Sequence, residues 1–223
     1  MLNLVSIKID DILKNKCESV SIGSIEATVE VGDGNEELWE EINLKCNEIR
    51  NSVNQGDIIS IKNISDSRQA YKKLGKDPSR YRLSSEALLK RIVKGNDLYK
   101  VNNIVDINNL VSLYSCYSVG SYDVSNIDEC VTFTFGAPGE KYSGIGKGDV
   151  NLENLPVFED SRGKFGSTTS DSTRAMITKD TKHIIMNIIS FNGDEDLDMY
   201  INYACRLLKN YANADVLSTN IFK

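Results

Sequence analysis

The chain has 223 residues, of which 40% are hydrophobic and 26% charged, a balance typical of a globular protein and unlike that of a disordered one. No apolar run approaches the roughly 18 residues that would cross a bilayer, and the acidic start MLNLVSIKIDDILKNK does not resemble a signal peptide. The five cysteines are widely spaced and include no CxxC pair, which fits neither a disulfide framework nor a zinc site and favours buried reduced thiols. We therefore expect a cytoplasmic protein with no metal, no cofactor and no membrane partner.

The net charge of −6 is unevenly distributed along the chain. From Arg68 to Lys100, ten basic residues stand against three acidic ones, so this basic window carries +7 and the remainder −13. Such a window can bind a polyphosphate on one face, while the acidic remainder keeps the protein soluble. On charge alone, the same residues are equally well explained as the solvated faces of two helices. The candidates for RNA contact are Arg68, Arg80, Arg82, Lys90 and Arg91.

The first hundred residues predict strands followed by helices. VSIGSIEATVEV has the pattern of one or two strands, and Asn35 is a plausible cap for an amphipathic helix that contains Trp39. SRQAYKKLGKDPSRY predicts a short helix that ends at Gly75. SSEALLKRIVKGN predicts a second one, capped by Ser84 and closed by Gly95.

The stretch NNIVDINNLVSLYS predicts a largely buried helix, because five apolar residues recur in it at helical spacing. Three polar residues, Asp106, Asn108 and Asn109, stand in its middle. An unpaired buried polar group costs about 1 to 3 kcal/mol, so each of the three should have a partner. The cluster therefore either holds the fold together or lines a pocket, and we expect the structural role for Asp106.

The second half of the chain mixes strands with one more helix. ECVTFTFG alternates as a strand, and HIIMNIISF is a short apolar run typical of a buried strand. Apolar residues from Leu197 to Tyr211 predict a helix before a last strand around DVLSTNIF. The segment GAPGEKYSGIGKGD contains a GxGxG spacing, but no helix follows it as a phosphate-binding loop requires, so turns are favoured. The whole pattern predicts an α+β protein.

The common catalytic patterns are missing from the sequence. There is no GxSxG elbow and no HExxH. The one histidine, His183, adjoins the apolar run IIMNII and is more typical of a packed residue than of a general base. Paired carboxylates near residue 195 precede the last helix, where they favour its dipole.

Three ordered stretches carry a resemblance to a known family. They are RQAYKKLGKDPSRYRLSSEALLKRIVKG, NNIVDINNLVSLYSCYSVGSYD and TTSDSTRAMITKDTKHIIMNIISF, which span about residues 66 to 192. They resemble the B3/B4 domain of the phenylalanyl-tRNA synthetase beta subunit, in a free-standing form. In the synthetase this domain hydrolyses tyrosine wrongly attached to the phenylalanine tRNA. No adenylate-forming motif is visible, so the resemblance implies an editing-like domain and not a ligase.

The resemblance also implies a fold and the positions of a pocket. The fold is a β-sandwich core with flanking helices, completed by the amino-terminal strands and the Trp39 helix into one domain over residues 1 to 223. The family's VDITN-like and LHAFD-like segments become VDINN and VGSYD, which places its pocket pair on Asn108 and Asn109 and its pocket histidine on Gly120. The family's pocket glutamate falls on Asn187. Both ionisable pocket residues are therefore absent.

Hydrolysis does not strictly require those two residues, because an aminoacyl ester is already reactive. A site that positions a water and stabilises the oxyanion is sufficient. We expect the water to be held by Asn109, Asn187 and Asp171, although Asp171 is equally plausible as a turn residue that bonds its own backbone. Structural roles are expected for Asp123 and Asp160. The residues expected to contact substrate are Asn108, Gly120, Ser167, Thr168, Ser172 and Arg174.

Three functions remain open from the sequence. The leading hypothesis is a hydrolase that clears a misacylated tRNA in trans, binding the acceptor end through the basic window and the amino acid near Asn109. The second is a module that recognises tRNA or a free amino acid without catalysis, which the loss of the histidine and the glutamate favours. The third is a binder of some other small molecule. In the leading hypothesis the partner is tRNA or aminoacyl-tRNA, and not DNA.

Overall fold

The computed structural model describes residues 4–146 and 148–223, and this part of the chain contains six α-helices and ten β-strands. The helices are α1 (Asp11–Lys16), α2 (Glu36–Ser52), α3 (Lys62–Leu74), α4 (Ser84–Val93), α5 (Asn103–Ser115) and α6 (Leu197–Ala212). The strands are β1 (Ser6–Ile9), β2 (Ser21–Thr28), β3 (Ser118–Asp123), β4 (Cys130–Phe135), β5 (Lys141–Ser143), β6 (Asp149–Asn151), β7 (Pro156–Asp160), β8 (Gly163–Ser167), β9 (His183–Ser190) and β10 (Asp215–Phe222). None of the helices in these two ranges has the length and apolar character of a membrane span. The predicted α+β class is confirmed.

Eight of the strands form two four-stranded sheets. The first sheet has the order β1-β4-β7-β8, with β1 parallel to β4 and the other pairs antiparallel. The second sheet has the order β10-β2-β9-β3 and is antiparallel throughout. The long apolar strand β9 is therefore central, which agrees with its prediction as a buried strand.

The two sheets pack face to face and enclose an aromatic core. Because side chains alternate along a strand, Ile185 and Ile189 of β9 point toward the first sheet. The Tyr122 ring from β3 lies 5.7 Å from the ring of Phe158 and 5.0 Å from that of Phe165, both in the first sheet. The β-sandwich core implied by the family resemblance is thus confirmed.

Helices cover the outer face of the second sheet. Residues of β9 that alternate with those of the aromatic core, such as Met186 and Ile188, pack against Leu110 of α5 and the apolar face of α6. At Gly23 of β2 an added Cβ would lie 3.1 Å from Ile201 of α6, so the glycine allows this helix to approach closely. Helix α2 packs across α4 and α5. The polar residues of α5 consequently lie between a sheet and neighbouring helices.

Most predicted helix ends occur where the sequence placed them. Asn35 caps α2 by accepting a hydrogen bond from a first-turn amide at 2.8 Å. Helix α3 ends at Gly75, which has a φ of 92° and so adopts the left-handed conformation that glycine tolerates. At α4 the predicted cap is wrong, because Ser84 is the first helical residue and its side chain makes no capping bond. Its amide donates instead to the carbonyl of Thr168 at 2.9 Å.

Two other expectations differ from the structure. The glycine-rich segment predicted as turns contains a hairpin of β5 and β6, and Lys147, on which that prediction also falls, lies outside the described residues. All five thiols are free, but only Cys17 and Cys46 are buried, and Cys130 is exposed. Cys130 stands at the first position of β4 with its side chain on the solvent side, a placement that spacing along the chain does not reveal.

Candidate functional site

Gly120 of β3 and Asn187 of β9 are register partners, so the two positions on which the resemblance places a pocket histidine and a pocket glutamate adjoin each other. Asn187 is 1% exposed and shares the strand face of Ile185, which points toward the first sheet. Among the described residues, none donates a hydrogen bond to its Oδ1 atom. A buried acceptor without a donor is costly, so this oxygen is suited to accept a hydrogen bond from water or a ligand.

The side-chain position of Gly120 is filled by the tyrosine two residues further along. A Cβ on Gly120 would clash with the Tyr122 hydroxyl, and a Cβ on Gly166 of β8 would clash with the same phenol group. Tyr122 therefore occupies the space between the two strands, and both neighbouring positions require glycine for this close approach. A side chain at residue 120 and a tyrosine at residue 122 exclude each other.

The Tyr122 hydroxyl contacts the carboxylate of Asp171. It donates to Asp171 Oδ1 at 3.0 Å, and the Ser167 amide donates to the same atom at 2.9 Å. Burial raises the pKa of Asp171 to about 6, although these two hydrogen bonds lower it. Asp171 is therefore both the turn residue that the sequence allowed and a carboxyl group that changes charge near neutral pH.

Hydroxyl groups surround the turn from residue 167 to 171. Ser167 Oγ and the Tyr142 hydroxyl both donate to the carbonyl of Ser170, at 2.7 and 2.5 Å. The Tyr71 hydroxyl of α3 hydrogen-bonds to Oγ1 of Thr168. We refer to Gly120, Tyr122, Asn187 and residues 167 to 171 as the polar cluster.

The polar cluster is closed on most sides. Thr168 is 0% exposed and Asn187 1%, whereas Thr169, Ser170 and Asp171 are half-buried. This turn is thus the side from which the cluster meets solvent. A surface cavity of about 380 Å³ lies elsewhere, between the end of α1 and α3, and no residue expected to bind substrate lines it.

The polar residues of α5 have mainly structural partners. Asn108 donates from Nδ2 to the carbonyl of Val119 at 3.0 Å and accepts at Oδ1 from Ser121 at 3.0 Å, which ties α5 to β3 beside the polar cluster. Asp106 accepts from the indole nitrogen of Trp39 at 2.9 Å, and burial raises its pKa despite this bond. Asp106 thus connects α5 to α2, the structural role expected for it.

Three expected site residues are not joined to the polar cluster by the hydrogen bonds of the described chain. Asn109 is half-buried, and none of these bonds involves its side chain. Arg174 forms a two-pronged ion pair with Asp160, at 2.9 and 3.0 Å, and also donates to two backbone carbonyls. Ser172 Oγ accepts from the Arg174 amide at 3.3 Å. The guanidinium of Arg174 therefore has a structural role, because it is already paired with the buried carboxylate of Asp160.

His183 has a packing partner between the sheets. Its Nε2 lies 2.9 Å from Oε1 of Glu26, whose side chain is 2% exposed and whose other oxygen accepts from the Val5 amide at 2.9 Å. This contact of a half-buried imidazole with a buried carboxylate fits the expectation of a packed histidine. In the ranges 4–146 and 148–223, no group of three or more histidine, cysteine, aspartate or glutamate side chains is placed to hold a metal ion.

Part of the basic window converges on one buried carboxylate. Glu86 of α4 has a fully buried side chain and lies 2.8 Å from Arg68, 2.6 Å from Lys90 and 3.7 Å from Arg82. Three cations around one carboxylate leave this cluster with a net positive charge. Arg68 and Lys90 therefore stabilise the fold as well as contributing to the surface potential.

The remaining expected RNA contacts are nearer to solvent. Arg80 and Arg82 are exposed, and the Arg80 guanidinium lies 5.6 Å from the Tyr81 ring. Arg91 lies 4.0 Å from the Tyr99 ring. The bond from Ser84 to the Thr168 carbonyl places the amino end of α4 against the polar cluster. The basic window and the polar cluster are thus neighbours.

The sequence model of the B3/4 domain family matches residues 66–213, a range that contains the polar cluster and the basic window. The chain belongs to the B3/4 domain family. The resemblance drawn from the motifs is confirmed, and the B3/4 assignment makes this a synthetase-related protein. The match begins after α2, so β1 and β2 of this B3/4 protein lie outside it.

Among the solved structures that match this B3/4 protein is one of a synthetase fragment. It is the crystal structure of an N-terminal fragment of the phenylalanyl-tRNA synthetase beta-subunit from Pyrococcus horikoshii. The alignment covers 98% of this chain and 50% of that one, with a TM-score of 0.46 and 13% sequence identity. This chain therefore spans about half the length of that fragment. No curated protein matches the chain.

Three tyrosines of the site were not predicted from the sequence, namely Tyr71, Tyr122 and Tyr142. For Tyr122 a signal was present, because in VGSYD a tyrosine stands two residues after a glycine and hence on the same strand face. Tyr71 and Tyr142 reach the cluster from α3 and β5, and their hydroxyls bond to residues far away in the chain. No local pattern indicates such long-range contacts.

Proposed function

We propose that this B3/4 protein hydrolyses the ester bond of a misacylated tRNA in trans, with the polar cluster as the reaction site. The single observation that carries the proposal is Asp171, a carboxyl group with a pKa of about 6 that belongs to the same polar cluster as Asn187. A group with a pKa near the working pH is suited to accept a proton from an attacking water. This provides a base where the family's histidine position is a glycine.

In the proposed reaction, Asp171 accepts a proton from a water while that water attacks the ester carbonyl carbon. The bond between this carbon and the ribose oxygen then breaks, the ribose oxygen takes the proton, and a free amino acid and tRNA leave. The Asn187 side chain supplies an acceptor oxygen that orients the water and an amide group that can donate to the developing oxyanion. Substrate approaches over the half-buried turn of Thr169, Ser170 and Asp171.

The basic window supports tRNA as the molecule that carries the ester. Helix α4 meets the polar cluster at its amino end, and the exposed residues Arg82 and Lys94 flank its two ends, so phosphates bound there hold an acceptor end close to Asp171. Positive charge from the Arg82 and Arg80 side chains remains exposed at this junction. The proposed partner is therefore tRNA or aminoacyl-tRNA.

A second candidate function is recognition without hydrolysis. One observation favours it, because the Tyr122 hydroxyl fills the space in which a side chain of residue 120 would stand. A site closed in this way can bind a terminal group of tRNA or a free amino acid at its rim and leave the ester intact.

The test is to incubate the protein with a panel of aminoacyl-tRNAs and follow the loss of the ester as a function of pH. We expect the wild-type rate to rise with pH through about 6, because Asp171 must be ionised to accept the proton. Asp171→Asn should remove this rise and most of the activity. The matched control is Asp149→Asn, which changes an exposed aspartate in the neighbouring β5-β6 hairpin and should keep the wild-type rate.

The possible results separate the two candidates. Binding of aminoacyl-tRNA with no ester loss at any pH would establish recognition and reject hydrolysis. Absence of both binding and hydrolysis across the panel would reject both candidates.

A further inference from the structure

An exposed aromatic ring stands at the end of the basic window. Tyr99 follows α4 and is 70% exposed, and its neighbour Val101 is 57% exposed. The polar cluster does not use either residue. Isolated apolar residues are common on protein surfaces, so exposure alone assigns no role to Tyr99. The surroundings of its ring are what distinguish it.

One face of the Tyr99 ring is covered by a guanidinium. The Cζ atom of Arg91 lies 4.0 Å from the ring centroid. Arg91 also donates from Nε to the carbonyl of Asp97 at 2.6 Å, which holds the guanidinium in place. Because the residue stays 70% exposed, the face opposite Arg91 is open to solvent. One face of the Tyr99 ring is thus packed against Arg91, and the other face is available to a ligand.

The surface around this ring is positively charged. Lys94, which follows α4, and Lys100 are exposed, whereas the acidic residue of α4, Glu86, is fully buried and pairs with Lys90 at 2.6 Å. The nearby carboxylate of Asp97 pairs with Arg50 of α2 at 2.6 Å. An anionic partner therefore meets an excess of cations near the ring.

We propose that Tyr99, supported by Arg91, is a stacking platform for an unpaired base of RNA. Proteins bind single strands by combining basic side chains that contact phosphates with aromatic rings on which bases stack. An acidic protein segment would use the same charges but has no need of an open aromatic face. The proposal rests on the tRNA contact of the proposed function and is independent of hydrolysis.

The position of the platform fits the unpaired 3′ end of a tRNA. Helix α4 has ten residues and is therefore about 15 Å long. Tyr99 follows the carboxyl end of this helix. At the amino end of the helix, the Ser84 amide donates to the carbonyl of Thr168 in the polar cluster. A strand that stacks on Tyr99 and follows the outward face of α4 reaches the polar cluster after a short distance.

The test measures binding of a labelled single-stranded RNA ending in CCA, of the same RNA in a duplex, and of a complete uncharged tRNA. Tyr99→Ala should weaken binding of the single strand by about fivefold or more, because one stacked base is lost. Tyr99→Phe, which keeps the ring, should bind as the wild type does. Tyr99→Ala should also leave unchanged the slope of log affinity against log salt, whereas Arg82→Glu should reduce that slope, because only the second change removes a phosphate contact.

The matched control is Tyr114→Ala. Tyr114 of α5 is 42% exposed and has the Lys45 ammonium 4.2 Å from its ring, but it lies outside the basic window. This variant should bind RNA normally, and melting temperatures of all variants confirm that they are folded.

Each other result has a definite meaning. If wild type binds tRNA and Tyr99→Ala binds it equally well, the platform is rejected and the proposed function stands. An equal loss for duplex RNA, or for an acidic peptide used as a further probe, would also reject base stacking. If wild type binds neither single-stranded RNA nor tRNA, the proposed function and the platform fail together.

Discussion

Asp160 and Asp171 are two carboxylates in neighbouring parts of the first sheet, one ending β7 and the other following β8, and their surroundings shift their pKa in opposite directions. Burial alone would raise the pKa of Asp160, but the hydrogen bonds and charge of Arg174 and two backbone amides lower it below its usual value. Asp171 accepts bonds only from a hydroxyl and an amide, and burial raises its pKa to about 6. The presence of a cation, and not burial itself, separates the structural carboxylate from the one able to exchange a proton.

The largest effect is expected from breaking the Asp160 pair. Asp160→Ala removes the partner of Arg174 and should lower the free energy of unfolding by about 3 kcal/mol or more, because a mostly buried guanidinium is left without its carboxylate. Chemical denaturation measures this loss. Arg162→Ala provides the control, since Arg162 is 44% exposed at 3.9 Å from the same carboxylate and should cost less than about 1 kcal/mol. Equal costs for the two variants would contradict the structural role of the Asp160–Arg174 pair.

The second prediction concerns the pH dependence that Asp171 imposes. Because the folded protein binds this proton more tightly than the unfolded chain does, ionisation of Asp171 opposes folding. Its contribution should reduce the free energy of unfolding by about 2 to 3 kcal/mol as pH rises from about 4 to about 7, with no further change once the group is ionised in both states. Asp171→Asn, which imitates the neutral form, should gain this amount relative to wild type over the same interval.

Denaturation of both proteins at a series of pH values measures the difference. The trend at Asp160 runs the other way, because a carboxylate with a lowered pKa stabilises the fold at neutral pH and loses that effect as pH falls. Parallel stability curves for wild type and Asp171→Asn would show that Asp171 is not perturbed and would weaken its assignment as a base.

The smallest predicted effect concerns the Tyr122 hydroxyl, which donates a hydrogen bond to Asp171. Gly120→Ala places a Cβ against this hydroxyl and should cost about 1 to 2 kcal/mol. In the double variant with Tyr122→Phe the hydroxyl is gone. The destabilisation of the double variant should therefore be smaller than the sum of the destabilisations of the two single variants, by about 0.5 kcal/mol or more. A thermodynamic cycle of the four proteins tests this. Additive costs would mean that the two positions do not compete for space.

The sequence predicts the elements of this fold better than the contacts of the candidate site. Helix α5 follows from the periodicity of its apolar residues and strand β9 from its short apolar run, and the caps at Asn35 and Gly75 follow from local chemistry. The partnership of Gly120 with Asn187 depends on the pairing of β3 with β9, which no local pattern determines. The family resemblance indicated both positions. It did not indicate that a tyrosine hydroxyl lies between them and Asp171.

Arg174 is a second residue whose partner could not be predicted from the sequence. In the sequence, SDSTR offers a carboxylate, a hydroxyl and a cation within a few residues, which is typical of a site. The structure assigns the cation to Asp160 and the carboxylate to the polar cluster, because each side chain finds its best partner in a different strand. Residues that are close along the chain therefore do not all belong to the same site.

The boundaries of family similarity are not the boundaries of the folded unit. The matched range 66–213 contains β9 and β3 of the second sheet, while β2 and β10 come from residues before and after it. The first sheet likewise takes β1 from outside the range, as the parallel partner of β4. If the matched segment existed by itself, one long edge of β9 and one of β4 would carry unpaired backbone groups, and such edges recruit other chains. The flanking residues therefore act as built-in protection against aggregation for the part that carries the candidate site.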